Sequence, residues 1–291
     1  MNKLSAVGHP TVILFGNEKG GTGKSTLAMH LAVLLLNRGF MVATVDLDSR
    51  QGTFTRYTGN RAAYAARYGG NILLSTHHIV SPSMTPEEGK LEFNKVLDEL
   101  AGYDIAIIDT PGHDSALSHF AHSYADVIVT PINDSLIDID VLGVVDPIKQ
   151  TVLRPSHYAE RIWKARQEKA RRCGSSIDWI VVRNRMSQLH ARNKRFVGSL
   201  LDNLAKRIGF RVADGIAERV IYRELFLDGF TVEDIAALNE RGKLSVSHVA
   251  ARQELSSLAM ALGLQSRLEK AHGSFGGKVD LEGGTRIGPF K

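Results

Sequence analysis

One stretch narrows the folds open to this chain more than any other. A short apolar run, Thr11–Gly16 (TVILFG), is followed by Asn17-Glu18-Lys19-Gly20-Gly21-Thr22-Gly23-Lys24-Ser25-Thr26, and an apolar pattern then runs from Lys24 to Arg38 and stops at Gly39. The first run is rich in β-formers and reads as a buried strand. The long pattern with its glycine stop reads as a helix. A glycine-rich turn between strand and helix is the setting a phosphate-binding loop requires, which argues against a chance Lys-Ser after a glycine turn. Gly20, Gly21, Thr22 and Gly23 let backbone N–H groups turn inward onto phosphate oxygens. The helix that Thr26 helps to open adds its positive end. Lys24 places a charge near the β- and γ-phosphates, and Ser25 can hold Mg2+ through its hydroxyl. Glu18 stands where the G-x-x-x-x-G-K-S pattern has its first glycine. Phosphate contacts come mainly from the glycines after it, so the loop assignment stands.

The same punctuation recurs along the chain. Phe40–Val45 (FMVATV) ends at Asp46, and Tyr103–Ile108 (YDIAII) ends at Asp109. Val127–Val129 lies in a strand ending at Thr130-Pro131, and Trp179–Val182 in one ending at Arg183-Asn184. Helical patterns at Pro86–Leu100, Asn193–Ile208 and Ser247–Leu262 alternate with these runs. Residues 53–90 read less clearly, as a Tyr/Ala/Arg helix and then a Ser/Pro/His loop. The alternation predicts an α/β fold, a P-loop NTPase with a mostly parallel β-sheet and helices on both faces. Polar residues collect at the carboxyl ends of the strands, where ligands bind in open α/β sheets. Residues 1–263 are expected to form one domain and 264–291 a flexible Gly/basic tail.

Composition removes several classes. Hydrophobic residues at 43% and charged residues at 23% are an ordinary globular balance, enough for a core without staples. The lone Cys173 rules out a disulfide framework, an iron–sulfur cluster held within one chain and a four-cysteine zinc site. The longest apolar run, Leu27–Leu36, contains His30 and is too short to span a bilayer. The N-terminus lacks the pattern of a signal peptide, so a cytoplasmic location is expected. The formal net charge is +5, but it is unevenly spread. Between Arg154 and Arg223 stand 17 Lys/Arg against 6 Asp/Glu. A basic block in an otherwise acidic chain fits either a polyanion surface or a solvated helical face.

Candidate site residues follow from the strand ends. In Asp46-Leu47-Asp48, alternation puts both carboxylates on one side, either for metal and water chemistry or to cap the next helix. Asp109 closes an apolar strand as a Walker B acid does and can hold Mg2+. The backbone N–H of Gly112, in Thr110-Pro111-Gly112, can follow the γ-phosphate. The amide of Asn184 offers both a donor and an acceptor, as adenine does, although a turn residue is the simpler reading. His119 and His122, three apart, and the adjacent His77-His78 lack a sensibly spaced third ligand and read as ordinary surface histidines. Cys173 is given no role.

Lys19, a second lysine inside the loop, is where the chain resembles the deviant Walker A ATPases, the family of the partition protein ParA, the division-site protein MinD and MipZ. The segments IDTPGHDSALSHFAH, TPINDSLIDIDVLG and VVRNR … RVIYRELF … AARQEL resemble the MipZ members. After Asp48 the chain continues Ser49-Arg50-Gln51, as MipZ-like sequences do, where partition ATPases usually have Pro-Gln-Gly.

The resemblance implies an ATPase using ATP and Mg2+. In it Lys19 would reach the nucleotide of a facing subunit in a sandwich homodimer, with Lys19, Lys24 and Asp48 catalytic. Nucleotide contacts would come from Glu18 through Thr26, Gly112 and Asn184, and Mg2+ contacts from Ser25, Asp46 and Asp109. It also implies recruitment by ParB, inhibition of FtsZ assembly, non-specific DNA binding by the ATP dimer, and a nucleoid-associated gradient. The basic block then acquires a use: Arg192, Lys194 and Arg195 open an amphipathic helix, Arg219 and Arg223 follow, and phosphate contacts from them would make binding salt-dependent. The tail HGSFGGKVDLEGGTRIGPFK is broken by glycines and lacks an apolar face, so no membrane partner is expected. The alternatives are a ParA-like partition ATPase and a nucleotide-independent DNA-binding protein with a vestigial loop.

Overall fold

The computed structural model describes residues 9–69, 72–81, 85–146, 152–187, 191–235 and 245–264. The expected tail, residues 264–291, lies outside them except for Leu264, which is buried in the core rather than part of a tail. The chain runs β1 (Thr11–Phe15), α1 (Lys24–Asn37), β2 (Val42–Asp46), α2 (Thr53–Tyr68), β3 (Thr76–Ile79), α3 (Pro86–Glu99), β4 (Ile105–Asp109), α4 (Ala116–His122) and β5 (Val127–Asn133). It continues α5 (Leu136–Ile139), β6 (Gly143–Val145), β7 (Val152–Pro155), α6 (His157–Cys173), β8 (Asp178–Asn184), α7 (Ala191–Ile208), β9 (Arg211–Ala213), α8 (Ile221–Glu224) and α9 (Val246–Ala261).

Seven strands form one sheet in the order β3-β2-β4-β1-β5-β8-β9. Every pairing in it is parallel. β1, β2 and β4 are buried throughout, because helices cover both faces. The pleat divides their side chains between two cores. Leu14, Val45 and Ile108 pack with Phe93, Ile162, Trp179 and Leu201 on one side. Ile13, Phe15 and Ile107 pack with Leu31, Leu35, Phe54, Tyr57 and Leu255 on the other. The predicted fold class is the observed one. Placing β1 between β4 and β5 brings the loops after β1, β2, β4 and β8 to one edge, the region where open parallel sheets bind ligands.

Local chemistry explains the element ends. Thr85 and Glu88 form a capping box at α3, with Pro86 in the first turn. Ser156 caps α6 by accepting from the Ala159 N–H, and Gly174 closes it at φ 69°.

Four strands depart from expectation. The segment read as a Ser/Pro/His loop contains β3, an edge strand paired to β2 alone. Its sequence, THHI, has no apolar alternation because a short edge strand need not bury a face. β6 and β7 form a separate antiparallel pair, too short for a periodic signal. β5 continues past Pro131 to Asn133, with Pro131 opposite Val182.

Candidate nucleotide site

Sequence places a left-handed glycine at the start of α1. Gly23 has φ 89° and no side chain caps the helix, which leaves the first-turn N–H groups to an anion. A β-carbon on Gly23 would fall 2.2 Å from Asn184 Nδ2, so only glycine fits there. Beside the loop lies a cavity of about 440 Å³, lined by Gly20 through Thr26, Asp48, Gln51, Thr53, Gly112, His113 and Arg185. Loops after β1, β2, β4 and β8 thus meet around one space. A β-carbon on Gly112 would sit 2.9 Å from Gly20 Cα and 3.2 Å from Lys24 Nζ, so the segment after β4 closes directly onto the loop.

Ser25 Oγ donates to Asp109 Oδ2 at 2.6 Å. The second oxygen, Oδ1, is buried without a partner. Burial pushes the Asp109 carboxyl up to about 7, against the Ser25 hydrogen bond, while Asp46 adds to the rise and Lys24 opposes it. A buried carboxylate with an unused oxygen and a hydroxyl beside it suits a small hard cation with oxygen ligands. Lys24 is also buried. Its Nζ donates to the Lys19 carbonyl at 3.2 Å, and burial lowers its pKa while Asp109 and Asp48 raise it.

Lys19 Nζ turns to its own chain, donating to Asp138 Oδ1 at 3.2 Å and to the Ile137 carbonyl on α5. Asp138 was not legible as a site residue; it stands 119 positions away. Glu18 turns away from the cavity and pairs with Arg161 Nη1 at 2.7 Å. Arg161 Nη2 also holds Asp114 at 2.7 Å. Glu18 therefore contributes backbone rather than carboxylate to the loop, because its side chain already has a cation.

The two acids after β2 separate. Asp46 Oδ1 accepts the Asp48 N–H at 2.8 Å, and Oδ2 accepts the Thr55 N–H at 3.0 Å and the Thr55 hydroxyl at 2.6 Å. Both oxygens are committed to the turn into α2. These are the contacts of the capping alternative, and they leave neither oxygen unshared for the Mg2+ contact expected of Asp46. Asp48 lines the cavity, and its carboxyl is raised by burial and by Asp46.

Asn184 ends β8, buried, with Nδ2 donating to the Thr22 carbonyl at 2.8 Å and Oδ1 accepting the Arg185 N–H at 2.9 Å. Arg185 takes a positive φ of 52° at this turn. A second, smaller pocket opens beside Asn184, walled by Gly23, Thr26, Tyr222 and Arg223 among others.

The basic residues do not form one group. Arg195 is exposed on the first turns of α7. The side chains of Arg192 and Lys194 lie outside the described residues. Arg219 is largely buried, paired with Glu254 at 2.6 Å and bonded to Ser247, which corrects its assignment as a free phosphate contact. Arg223 is exposed, 3.5 Å from Glu218.

The histidines also need correction. His122 is buried and contacts the Ser118 carbonyl through Nδ1 at 2.6 Å. His77 is bonded to Thr44 and Thr55. Neither is an ordinary surface residue. Among the described residues, no cluster of three His, Cys, Asp or Glu is placed to hold a metal, and no helix is long and apolar enough to cross a membrane. Cys173 is exposed and free.

Comparison with known proteins agrees with the fold. Among curated proteins, the chromosome-partitioning ATPase Soj of Thermus thermophilus is 30% identical over 135 residues, 41% of this chain and 53% of Soj. The match thus spans about half of that relative. The maintenance of carboxysome distribution protein A of Gloeobacter kilaueensis is 27% identical over 171 residues, 58% of this chain and 69% of that protein. Among solved structures, the ATP complex of a substituted McdA from Cyanothece superposes with a TM-score of 0.59 at 14% identity, covering 88% of this chain and 97% of that one. MinD from Aquifex aeolicus gives 0.53 at 16% identity, covering 87% and 97%. The profile of the ATPase MipZ family matches residues 11–266, and the chain belongs to that family.

Proposed function

We propose that this chain is an ATP-dependent dimerisation switch that positions the division site. As an ATP-bound homodimer it binds DNA without sequence preference and inhibits FtsZ assembly, and slow hydrolysis returns it to the monomer that ParB recruits. The observation that carries the reading is the pairing of a metal-ready acid with two lysines of different fates. Asp109 and Ser25 stand beneath the loop, Lys24 is buried beside them, and Lys19 lies at the rim on a contact it can leave.

Ser25 and Asp109 would hold Mg2+, which when bound neutralises charge on the phosphates. Lys24 and the loop N–H groups stabilise charge on the γ-phosphate. Asp48, on the cavity wall, orients the attacking water. Gly112 offers its N–H to the γ-phosphate, and Asn184 faces the base. Lys19 leaves Asp138 for the triphosphate of the second subunit. Exposed Arg195, with Arg192 and Lys194 on the same helix, supplies the DNA contacts. Two patches brought together by dimerisation add as linked sites do, and this distributes the protein over the nucleoid.

A ParA-like partition ATPase is the second reading, favoured by the likeness to Soj. FtsZ sedimentation with this protein plus ATP, against ADP, separates the two: the division switch keeps FtsZ in the supernatant only with ATP, whereas equal pellets favour the partition reading. Light scattering tests the switch itself. Lys19→Ala is expected to bind ATP and stay monomeric, and unchanged dimerisation would remove its role.

A further inference from the structure

We propose that His77 is a positioning residue for ATP hydrolysis, holding Asp48 in place through Thr55 and Asp46. The inference deepens the reading of Asp48 as the residue that orients water, and rests on it.

The register sets the geometry. β3 pairs with β2 so that His77 lies opposite Thr44, with Asp46 two residues further along β2 and so on the same face as Thr44. Phe54 and the His77 ring pack in a T, centroids 5.6 Å apart at 90°, which fixes the plane of the imidazole. Hydrogen counting then fixes its tautomer. Thr55 Oγ1 lies 2.6 Å from Asp46 Oδ2 and 3.1 Å from His77 Nε2. The hydroxyl has one hydrogen and the carboxylate has none, so Thr55 donates to Asp46. The other contact is therefore His77 Nε2–H donating to Thr55. This leaves the lone pair on Nδ1, 2.9 Å from the Thr44 hydroxyl, whose one hydrogen is shared with the Thr76 carbonyl at 3.2 Å.

A continuous chain results, from His77 through Thr55 and Asp46 to the Asp48 N–H, which Asp46 Oδ1 accepts at 2.8 Å. Without Nε2–H, Thr55 loses the donor that orients its oxygen, and its bond to Asp46 Oδ2 loosens, leaving only the Thr55 N–H on that oxygen. The backbone that Asp46 holds carries Asp48, so the carboxylate in the cavity loses its fixed position. None of these bonds is made to the loop from Gly20 to Thr26, so ATP binding is expected to be insensitive to them.

The test uses the full chain with Mg2+ and ATP and measures kcat and KM separately. A glutamine amide nitrogen reaches the place of Nε2, and an asparagine amide reaches only that of Nδ1. His77→Asn is expected to lower kcat about tenfold, the scale of a small misplacement of a reacting group, with KM within about twofold. His77→Gln is expected to keep kcat within about threefold of the parent. Thr55→Val breaks the chain one link later without touching the ring and is expected to match His77→Asn, which keeps the comparison readable should the latter fold poorly. Equal kcat for the Asn and Gln variants, a change confined to KM, or full kcat in Thr55→Val would overturn the proposal. Asp48→Ala runs beside them. If it turns over ATP like the parent, the reading of Asp48 fails; if it is slowed about 10²-fold while His77→Asn keeps the parent kcat, only the role of His77 fails.

Discussion

The phosphate cradle and the basic margin around α7 and α8 use charge in opposite ways. In the cradle, Lys24 and Asp109 are buried, and burial has moved both away from their ordinary ionisation. At the margin, Arg195 and Arg223 stand in solvent. A charge held in a low-dielectric cleft acts strongly and over a short range. An exposed one acts weakly, additively and subject to salt. The cradle is therefore expected to behave as a switch, in which single substitutions abolish a step. The margin is expected to behave as a sum, in which each substitution subtracts a little.

The largest effect should come from Lys24→Ala. Phosphate release is expected to fall by about 10²–10³-fold, the scale of losing one preorganised charge at a reacting centre. Release at the parent rate would show the cradle to be vestigial and dissolve the contrast. Next is Asp48→Ala, expected to bind ATP normally, to hydrolyse it about 10²-fold more slowly and to accumulate dimer. A monomer by light scattering in excess ATP would contradict its role.

Asp109 gives a subtler test through pH. Its folded value of about 7 lies above that of an ordinary carboxyl, so the folded chain keeps a proton that the unfolded chain has released. This contribution to stability is complete below the unfolded value and lost as pH rises through about 7. Asp109→Asn should thus raise the thermal midpoint of the nucleotide-free protein at pH 8 by about 2–4 °C, while Mg2+-dependent turnover falls. A lower midpoint at pH 8 would mean that the acid is already compensated.

The smallest effect belongs to the margin. Arg195→Ala should weaken DNA binding for all sequences and lower the salt slope by about 1. Arg219→Ala should instead leave the slope unchanged and reduce thermal stability, because its guanidinium is held by Glu254. A slope change in Arg219→Ala with none in Arg195→Ala would move the DNA surface.

Legibility follows the range of the interactions. The strand, glycine loop and helix at β1–α1 were readable because their signals are local: spacing, burial period and glycine placement. Asp109 was readable because a polar residue ending an apolar strand is conspicuous. β3 was not, since an edge strand of Thr, His, His and Ile carries no burial period. Contacts between distant positions were hidden as well. Arg161 holds Glu18 across about half of the chain, and counting charges along the sequence grouped Arg219 with Arg195 without seeing Glu254. His77-His78 was noticed as a pair, but its use depends on a strand register that no spacing rule encodes.

The grip of Asp138 on Lys19 has a consequence for assembly. In the proposed switch Lys19 turns from Asp138 of its own chain to the triphosphate of the other, so each subunit surrenders an internal tether as it clasps its neighbour. Asp138, largely enclosed, is left without its counterion when that happens. Two such surrenders accompany every pairing, and the resulting threshold favours solitary copies until the nucleotide on each side offers Lys19 more negative charge than it leaves behind.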